Sequence, residues 1–285
     1  MIRDTMDLGH FAIDTVTLSG TLEDKLRVTR DAGFGGIEIW AKDLVTHPGG
    51  VPGAVAAIRA SGLRVSSFQL LKDYEGLDAH LHDYKLEIAR SLMDLVEAIG
   101  STVLVVASST SPYAKDDMDH VASDLAKLAQ LAAPRHIRVA FGAPAWARWI
   151  NEYPAVWEAV RRANQPNLGV LINVFHWLAK GTPLDAMDSI PGDRIFLVQM
   201  ADYLGDLRDI TETADHRRAF PNESAHRAVV AEMLHKLRHA GYGGDYVFEV
   251  FNDEYLHLTP ESVMARAKKA AQWVVDETAQ ASAPR

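Results

Sequence analysis

Eight short, β-rich apolar runs recur from one end of the chain to the other, and each is followed by a longer amphipathic segment. The runs cover 10–16, 36–40, 63–68, 102–107, 136–142, 168–174, 194–200 and 245–251. Each is bounded by Gly, Pro or charged residues and is too short for a helix, so the strand reading wins. Helical patterns lie near 21–33, 51–61, 80–99, 115–133, 152–164, 183–189, 223–240 and 260–279. Thr21 offers a capping oxygen ahead of Leu22-Glu23-Asp24, and Thr259-Pro260 opens the last helix with Pro in its first turn. Gly33, Gly62, Gly100 and Gly241 close four of the patterns, where a left-handed residue ends a helix. Strands alternating with helices imply a parallel sheet. Eight such units without a linker or a shift in composition predict a single (β/α)8 TIM barrel over residues 1–280, with a frayed tail at 281–285. A doubly wound sheet is the alternative, but its nucleotide-binding forms want a Gly-rich turn after the first strand, which Val16-Thr17-Leu18-Ser19-Gly20 does not supply.

Composition narrows the function. The 285 residues contain no cysteine, which excludes disulfides, thiolate metal sites and a cysteine nucleophile. A net charge of −9 argues against binding a nucleic-acid backbone, which needs excess Lys and Arg. Acids at Asp4 and Asp7 stand where a signal peptide needs a basic start, and no run approaches the ~20 apolar residues of a membrane span. These features lead us to expect a soluble cytoplasmic protein whose partner is a small molecule rather than nucleic acid or membrane. No GxSxG, HExxH, P-loop or EF-hand motif occurs. His235 and His239 are four apart on a helix, but the stripe of Val230, Met233, Leu234 and Leu237 turns both toward solvent. His80-Leu81-His82, at a helix start, is read as exposed in the same way.

In a (β/α)8 barrel the chemistry sits at the C-terminal ends of the strands. Those ends deliver Glu38, then Gln69 and Lys72-Asp73-Tyr74-Glu75, then Phe141-Gly142-Ala143-Pro144-Ala145-Trp146, Asn173-Val174-Phe175-His176, Gln199-Met200-Ala201-Asp202 and Glu249-Val250-Phe251-Asn252-Asp253. Polar side chains inside apolar strands are costly unless they have partners or a ligand, which singles out Glu38, Asn173, Gln199 and Glu249. A self-satisfied polar layer within the barrel is the structural alternative for these four.

These residues resemble the xylose-isomerase-like sugar-phosphate isomerase/epimerase barrels, and within them the bacterial 3-dehydroshikimate dehydratases. The resemblance runs from Thr15-Val16-Thr17-Leu18-Ser19-Gly20-Thr21-Leu22 through Gly33-Phe34-Gly35-Gly36-Ile37-Glu38-Ile39, Asp73-Tyr74-Glu75-Gly76 and Leu168-Gly169-Val170-Leu171. It continues through Phe175-His176 and Val198-Gln199-Met200-Ala201-Asp202 to Glu249-Val250-Phe251-Asn252-Asp253. The resemblance implies a divalent metal held by a Glu on strand five, an Asp on strand six, a Gln or His on strand seven and a Glu on strand eight. That metal polarises a ketone while a base removes the neighbouring proton, and loss of hydroxyl gives the aromatic product protocatechuate. Gln199 and Glu249 match this ligand pattern, but Gly142 and Asn173 stand where carboxylates are expected. The expectation is therefore no metal, or a weakly bound Mg²⁺ or Mn²⁺, at Gln199 and Glu249, since a hard cation wants charged oxygens. Lys72 stands where Arg is usual, and Phe220-Pro221-Asn222-Glu223-Ser224 where a Gly-rich loop is usual.

Two functional readings follow. One is an enzyme of dehydratase or sugar isomerase type, using enolisation on a small oxygenated ring or sugar-like ketone. It would use His176 as acid/base, Glu249 as base or orienting carboxylate, and Lys72 and Arg218 for an anionic group, with Glu38, Gln69, Asn173 and Gln199 on the substrate. His176, between Phe175 and Trp177, also reads as a packing residue. The other is a non-catalytic binding or regulatory relative that kept the pocket and lost the metal. An endonuclease on the same barrel is set aside on net charge and on the few strand-end histidines. Trp146, Trp149 and the 204–222 loop are candidates for a lid or a homo-oligomer contact.

Overall fold

The computed structural model describes residues 6–206 and 215–280. Eight parallel strands close into a barrel: β1 (Phe11–Asp14), β2 (Gly36–Trp40), β3 (Arg64–Lys72), β4 (Val103–Ala107), β5 (Arg138–Gly142), β6 (Leu168–Asn173), β7 (Ile195–Met200) and β8 (Tyr246–Phe248), with β8 pairing back onto β1. Around it run α1 (Leu22–Asp31), α2 (Ala41–Val45), α3 (Gly50–Ser61), α4 (Ala79–Ala98), α5 (Met118–Ala132), α6 (Tyr153–Ala163), α7 (Val174–Lys180), α8 (Arg227–His239) and α9 (Pro260–Gln280). The fold is the expected (β/α)8 barrel. The tail expected at 281–285 lies outside the described residues. Among the described residues no helix is long and apolar enough to cross a membrane.

Strand alternation divides the apolar residues into two layers. In β2, Ile37 and Ile39 belong to the large core between barrel and helices, while Glu38 between them turns inward. A smaller cluster inside the barrel includes Ala12, Val105, Ala140, Leu171, Phe196 and Val247. This inner plug fills the lower barrel, and the cavity opens above it at the strand ends. Gly33, Gly62, Gly100 and Gly241 all take positive φ, as the helix ends require, and Thr21 forms a capping box with Asp24.

Several boundaries differ from the sequence reading, each for a local reason. The first strand ends at Asp14 rather than 16, because the Asp14 carboxylate accepts from Val16 N–H at 2.9 Å and turns residues 15–17 into a 3₁₀ turn. The last strand stops at Phe248 rather than 251: Thr17 Oγ1 accepts from Val250 N–H at 2.9 Å, which takes the backbone out of the ladder. Glu249 therefore sits just beyond the strand. Residues 184–189 form a 3₁₀ segment, and the helix after β6 is α7, which starts at once because Asn173 Oδ1 accepts from His176 N–H at 3.3 Å. His82 corrects the exposed reading. It is 6 % exposed, lies against Tyr74 and faces the buried Asp124 at 3.4 Å, because the loop after β3 folds back over α5. His235 and His239 are exposed as expected.

Candidate active site

The strand ends carry one continuous polar chain across the barrel mouth. Gln69 donates to Asp14, whose carboxyl also bonds Glu38. Glu38 accepts from Ser67 and, at 2.8 Å, from Gln199 Nε2. Asn173 Nδ2 uses its two hydrogens on Gln199 Oε1 (3.0 Å) and Glu249 Oε2 (2.6 Å). The same Glu249 oxygen takes the guanidinium of Arg218. Arg218 also pairs with Asp215 and places Nη2 3.4 Å from His176 Nε2.

Each end of this chain is held from behind. Tyr153, stacked on Trp177, brackets the Asn173 backbone, accepting from its N–H at 2.7 Å and donating to its C=O at 3.1 Å. Arg218 is 1 % exposed, sandwiched between the rings of Phe175 (4.5 Å) and Phe251 (4.9 Å). A two-residue antiparallel ribbon, Asp202–Tyr203 with Arg218–Ala219, carries it over the mouth. Beneath that ribbon Asp202 takes Ser224 and His226, and Glu223 forks onto Arg266 at 2.6 and 3.0 Å. Side-chain pairs thus hold the Phe220–Ser224 segment. Residues 207–214 of the 204–222 loop lie outside the described residues. Trp146 lines the cavity and packs edge-on against His176, which accounts for it without a second copy of the chain.

Burial sets the protonation pattern. Burial first, then the charge of Glu249, pushes the Glu38 carboxyl up to about 7, and burial with Glu38 as neighbour raises Asp14 well above the usual carboxylate range. Two buried carboxyls in contact favour keeping a proton between them. Burial also raises Glu249, but there Arg218 and Asn173 oppose it. Burial and the Arg218 charge hold His176 well below the usual histidine range. Both polar neighbours of that ring, Ala145 N–H facing Nδ1 and Arg218 Nη2 facing Nε2 at 3.4 Å each, are donors, and the single lone pair of a neutral imidazole accepts from one of them.

A cavity of about 280 Å³ opens on this arrangement, at the lower edge of the roughly 300–1,000 Å³ of small-molecule sites. Gln69, Lys72, Asn173, His176, Gln199, Arg218 and Glu249 line it, so seven of the eight residues singled out as catalytic or substrate-binding share one wall system. Glu38 does not line it; this side chain is fully buried below Gln199. Sequence reasoning missed Asp14, although an acid closing an apolar strand is the signal that had exposed Glu38. It also missed Asp215 and Leu171, which carry no such local signal. Gly142 lines the cavity with no side chain, and a Cβ built there would meet Leu171 Cδ2 at 2.9 Å. Among the described residues no three His, Asp or Glu side chains are arranged to hold a metal ion.

A 3-dehydroshikimate dehydratase of Pseudomonas aeruginosa is 38 % identical over 246 residues, covering 86 % of this chain and 38 % of the relative. A solved xylose isomerase-like TIM barrel/4-hydroxyphenylpyruvate dioxygenase fusion protein superposes with a TM-score of 0.89 at 32 % identity, over 94 % of this chain and 43 % of that one. The chain thus spans about two fifths of the length of these two proteins. An IolI protein solved with a bound zinc atom shares the fold, at TM-score 0.82 and 19 % identity, over 95 % of this chain and 98 % of that one. The family profile described as xylose isomerase-like TIM barrel matches residues 26–276, and the chain belongs to that family.

Proposed function

We propose that this barrel is a dehydratase or isomerase-type enzyme that enolises a small cyclic ketone carrying a carboxylate, as its similarity to 3-dehydroshikimate dehydratases suggests. The observation that carries the reading is the pairing of a neutral, cavity-facing His176 with a buried guanidinium 3.4 Å away. His176 takes the proton next to the ketone, and the Arg218 charge stabilises the oxygen on which negative charge develops. The imidazolium returns its proton to the departing β-hydroxyl, so water leaves and the histidine is neutral again. Glu249 and Asp215 orient Arg218. Lys72 at the rim pairs with the substrate carboxylate.

A divalent metal, which the resemblance implies, does not fit the donors present. Glu249 offers one carboxylate whose Oε2 already carries Arg218 and Asn173 Nδ2, Gln199 Oε1 accepts from Asn173, and Gly142 offers nothing. A hard cation would remain uncompensated there. No step is therefore routed through one. The test is to incubate the purified chain with 3-dehydroshikimate and with inosose-type ketones and follow ultraviolet absorbance, with chelator and with added Mn²⁺. Metal-independent turnover that disappears in His176→Asn supports the proposal. Saturable ligand binding without turnover supports the binding-only relative, and turnover that needs Mn²⁺ contradicts the arginine-based account.

A further inference from the structure

The ring of polar strand ends has one gap. Asn173, Gln199 and Glu249 continue from β6 through β8, Asp14 and Glu38 continue through β1 and β2, and Gln69 and Lys72 stand on β3. On β4 and β5 the cavity is lined instead by Val105, Ala107 and Gly142. Leu171 leans over this gap from β6: a Cβ at residue 142 would meet its Cδ2, Cγ and Cβ at 2.9, 3.1 and 3.2 Å, so the whole branch covers the glycine. Leu171 is 5 % exposed, belongs to the apolar plug with Val105 and Ala140, and still lines the cavity. Within the strands the cavity is therefore two-sided, with donors and acceptors on one arc and hydrocarbon on the other; Thr110, which also lines it from the loop after β4, has its hydroxyl donating to Asp73 Oδ1 at 3.1 Å.

We propose that Leu171, lying over Gly142, is the residue that selects the ligand: a small ring acid that turns an unsubstituted CH or CH₂ position toward β4 and β5. A hydroxyl placed against this sector gives up water and finds no partner, whereas a CH or CH₂ edge loses nothing. Rings oxygenated at every carbon are rejected for that reason, and a ring with an unsubstituted CH or CH₂ position to set there is accepted. The inference rests on the small-ring reading of the site and adds the orientation and the selecting residue.

The test is equilibrium titration of two ring acids of the same charge, shikimate and glucuronate, into the intact chain, because neither needs turnover to be read. The first has unsubstituted CH and CH₂ positions on either side of its carboxyl-bearing carbon, and every ring carbon of the second carries an oxygen. The wild-type protein is expected to prefer shikimate by about ten- to a hundredfold, the range for one or two hydroxyls left without partners. Leu171→Ser should bring the ratio to within about threefold by giving the hydroxyl a partner. Leu171→Ala, which adds no polar group but admits water, should lower it by a smaller factor and covers the case in which the serine variant fails to fold. Equal affinity of the wild type for both acids overturns the inference and leaves the proposed function standing, as does an unchanged ratio in both variants with melting transitions intact. Failure of either acid to bind at all removes the proposed function itself.

Discussion

Two carboxyl centres on the same ring of strand ends solve the same problem in different ways. At β8, Glu249 is buried with a guanidinium on one oxygen and an amide donor beside it. At β1 and β2, Asp14 and Glu38 are buried against each other with only amide and hydroxyl donors, and both are raised. Neither place can hold bare negative charge out of water. One has a fixed arginine on its carboxylate, and burial drives the other toward keeping a proton. Asn173 completes the arrangement: its amide donates 2.6 Å from Glu249, where an aspartate would set two carboxylates together.

Removing the arginine breaks the contrast most severely. Arg218→Ala leaves the buried Glu249 and the half-buried Asp215 without their cation and should destabilise the fold by about 3–5 kcal/mol in urea unfolding. A loss under about 1 kcal/mol would mean that water already screens the pair.

The proton at the other centre should be visible in the pH dependence of stability. Glu38 is raised from its ordinary 4.5 to about 7, so its contribution is complete below 4.5 and is lost as the pH rises through 7. Lowering of His176 acts in the opposite sense, its contribution being present above its ordinary 6.5 and lost as the pH falls. The difference between wild type and Glu38→Gln separates them. The variant should gain on the wild type between pH 4.5 and 8 by on the order of 3 kcal/mol, since each tenfold change in proton affinity is worth ~1.4 kcal/mol. Parallel stability curves would show that the acid pair holds no extra proton.

Rebuilding a metal site sharpens the contrast, and the structure changes what must be rebuilt. Gly142→Glu with Asn173→Asp supplies the two missing carboxylates, but Leu171 occupies the space at 142. Gly142→Glu/Asn173→Asp/Leu171→Ala should therefore show a Mn²⁺-dependent rise in melting temperature, about 2.7 kcal/mol when free metal is a hundredfold above Kd, while the double variant shows less. Equal responses would mean that Leu171 moves aside at no cost. The smallest effect is expected at the rim. Lys72→Ala should raise KM by about tenfold, roughly one charge-assisted contact, with kcat within about twofold. A fall in kcat alone would put Lys72 in the chemistry.

Period and punctuation make the barrel legible in the sequence, because each strand is a local apolar run and each helix end is a local glycine or cap. The candidate site is legible for a related reason: Glu38, Asn173, Gln199 and Glu249 are polar residues at or beside strand ends, and the barrel sends such positions to one rim. Partnerships are not legible. The contacts of Arg218 with Glu249, of Glu38 with Gln199 and of His82 with Asp124 join residues 31, 161 and 42 apart, and no local pattern encodes them. The same holds for Gly142 and Leu171, whose contact exists only across neighbouring strands. Glycine at 142 reads from sequence as a missing ligand, and only the packing shows that its space is already filled.

The central claim is that an arginine, rather than a divalent cation, neutralises Glu249. Calorimetric titration of Mn²⁺ into chelator-stripped wild-type protein tests it most directly. The expected result is no saturable binding up to about 1 mM, since one engaged carboxylate and two amides form a poor hard-cation site. Stoichiometric binding near ~1 μM, abolished by Glu249→Gln, would contradict it.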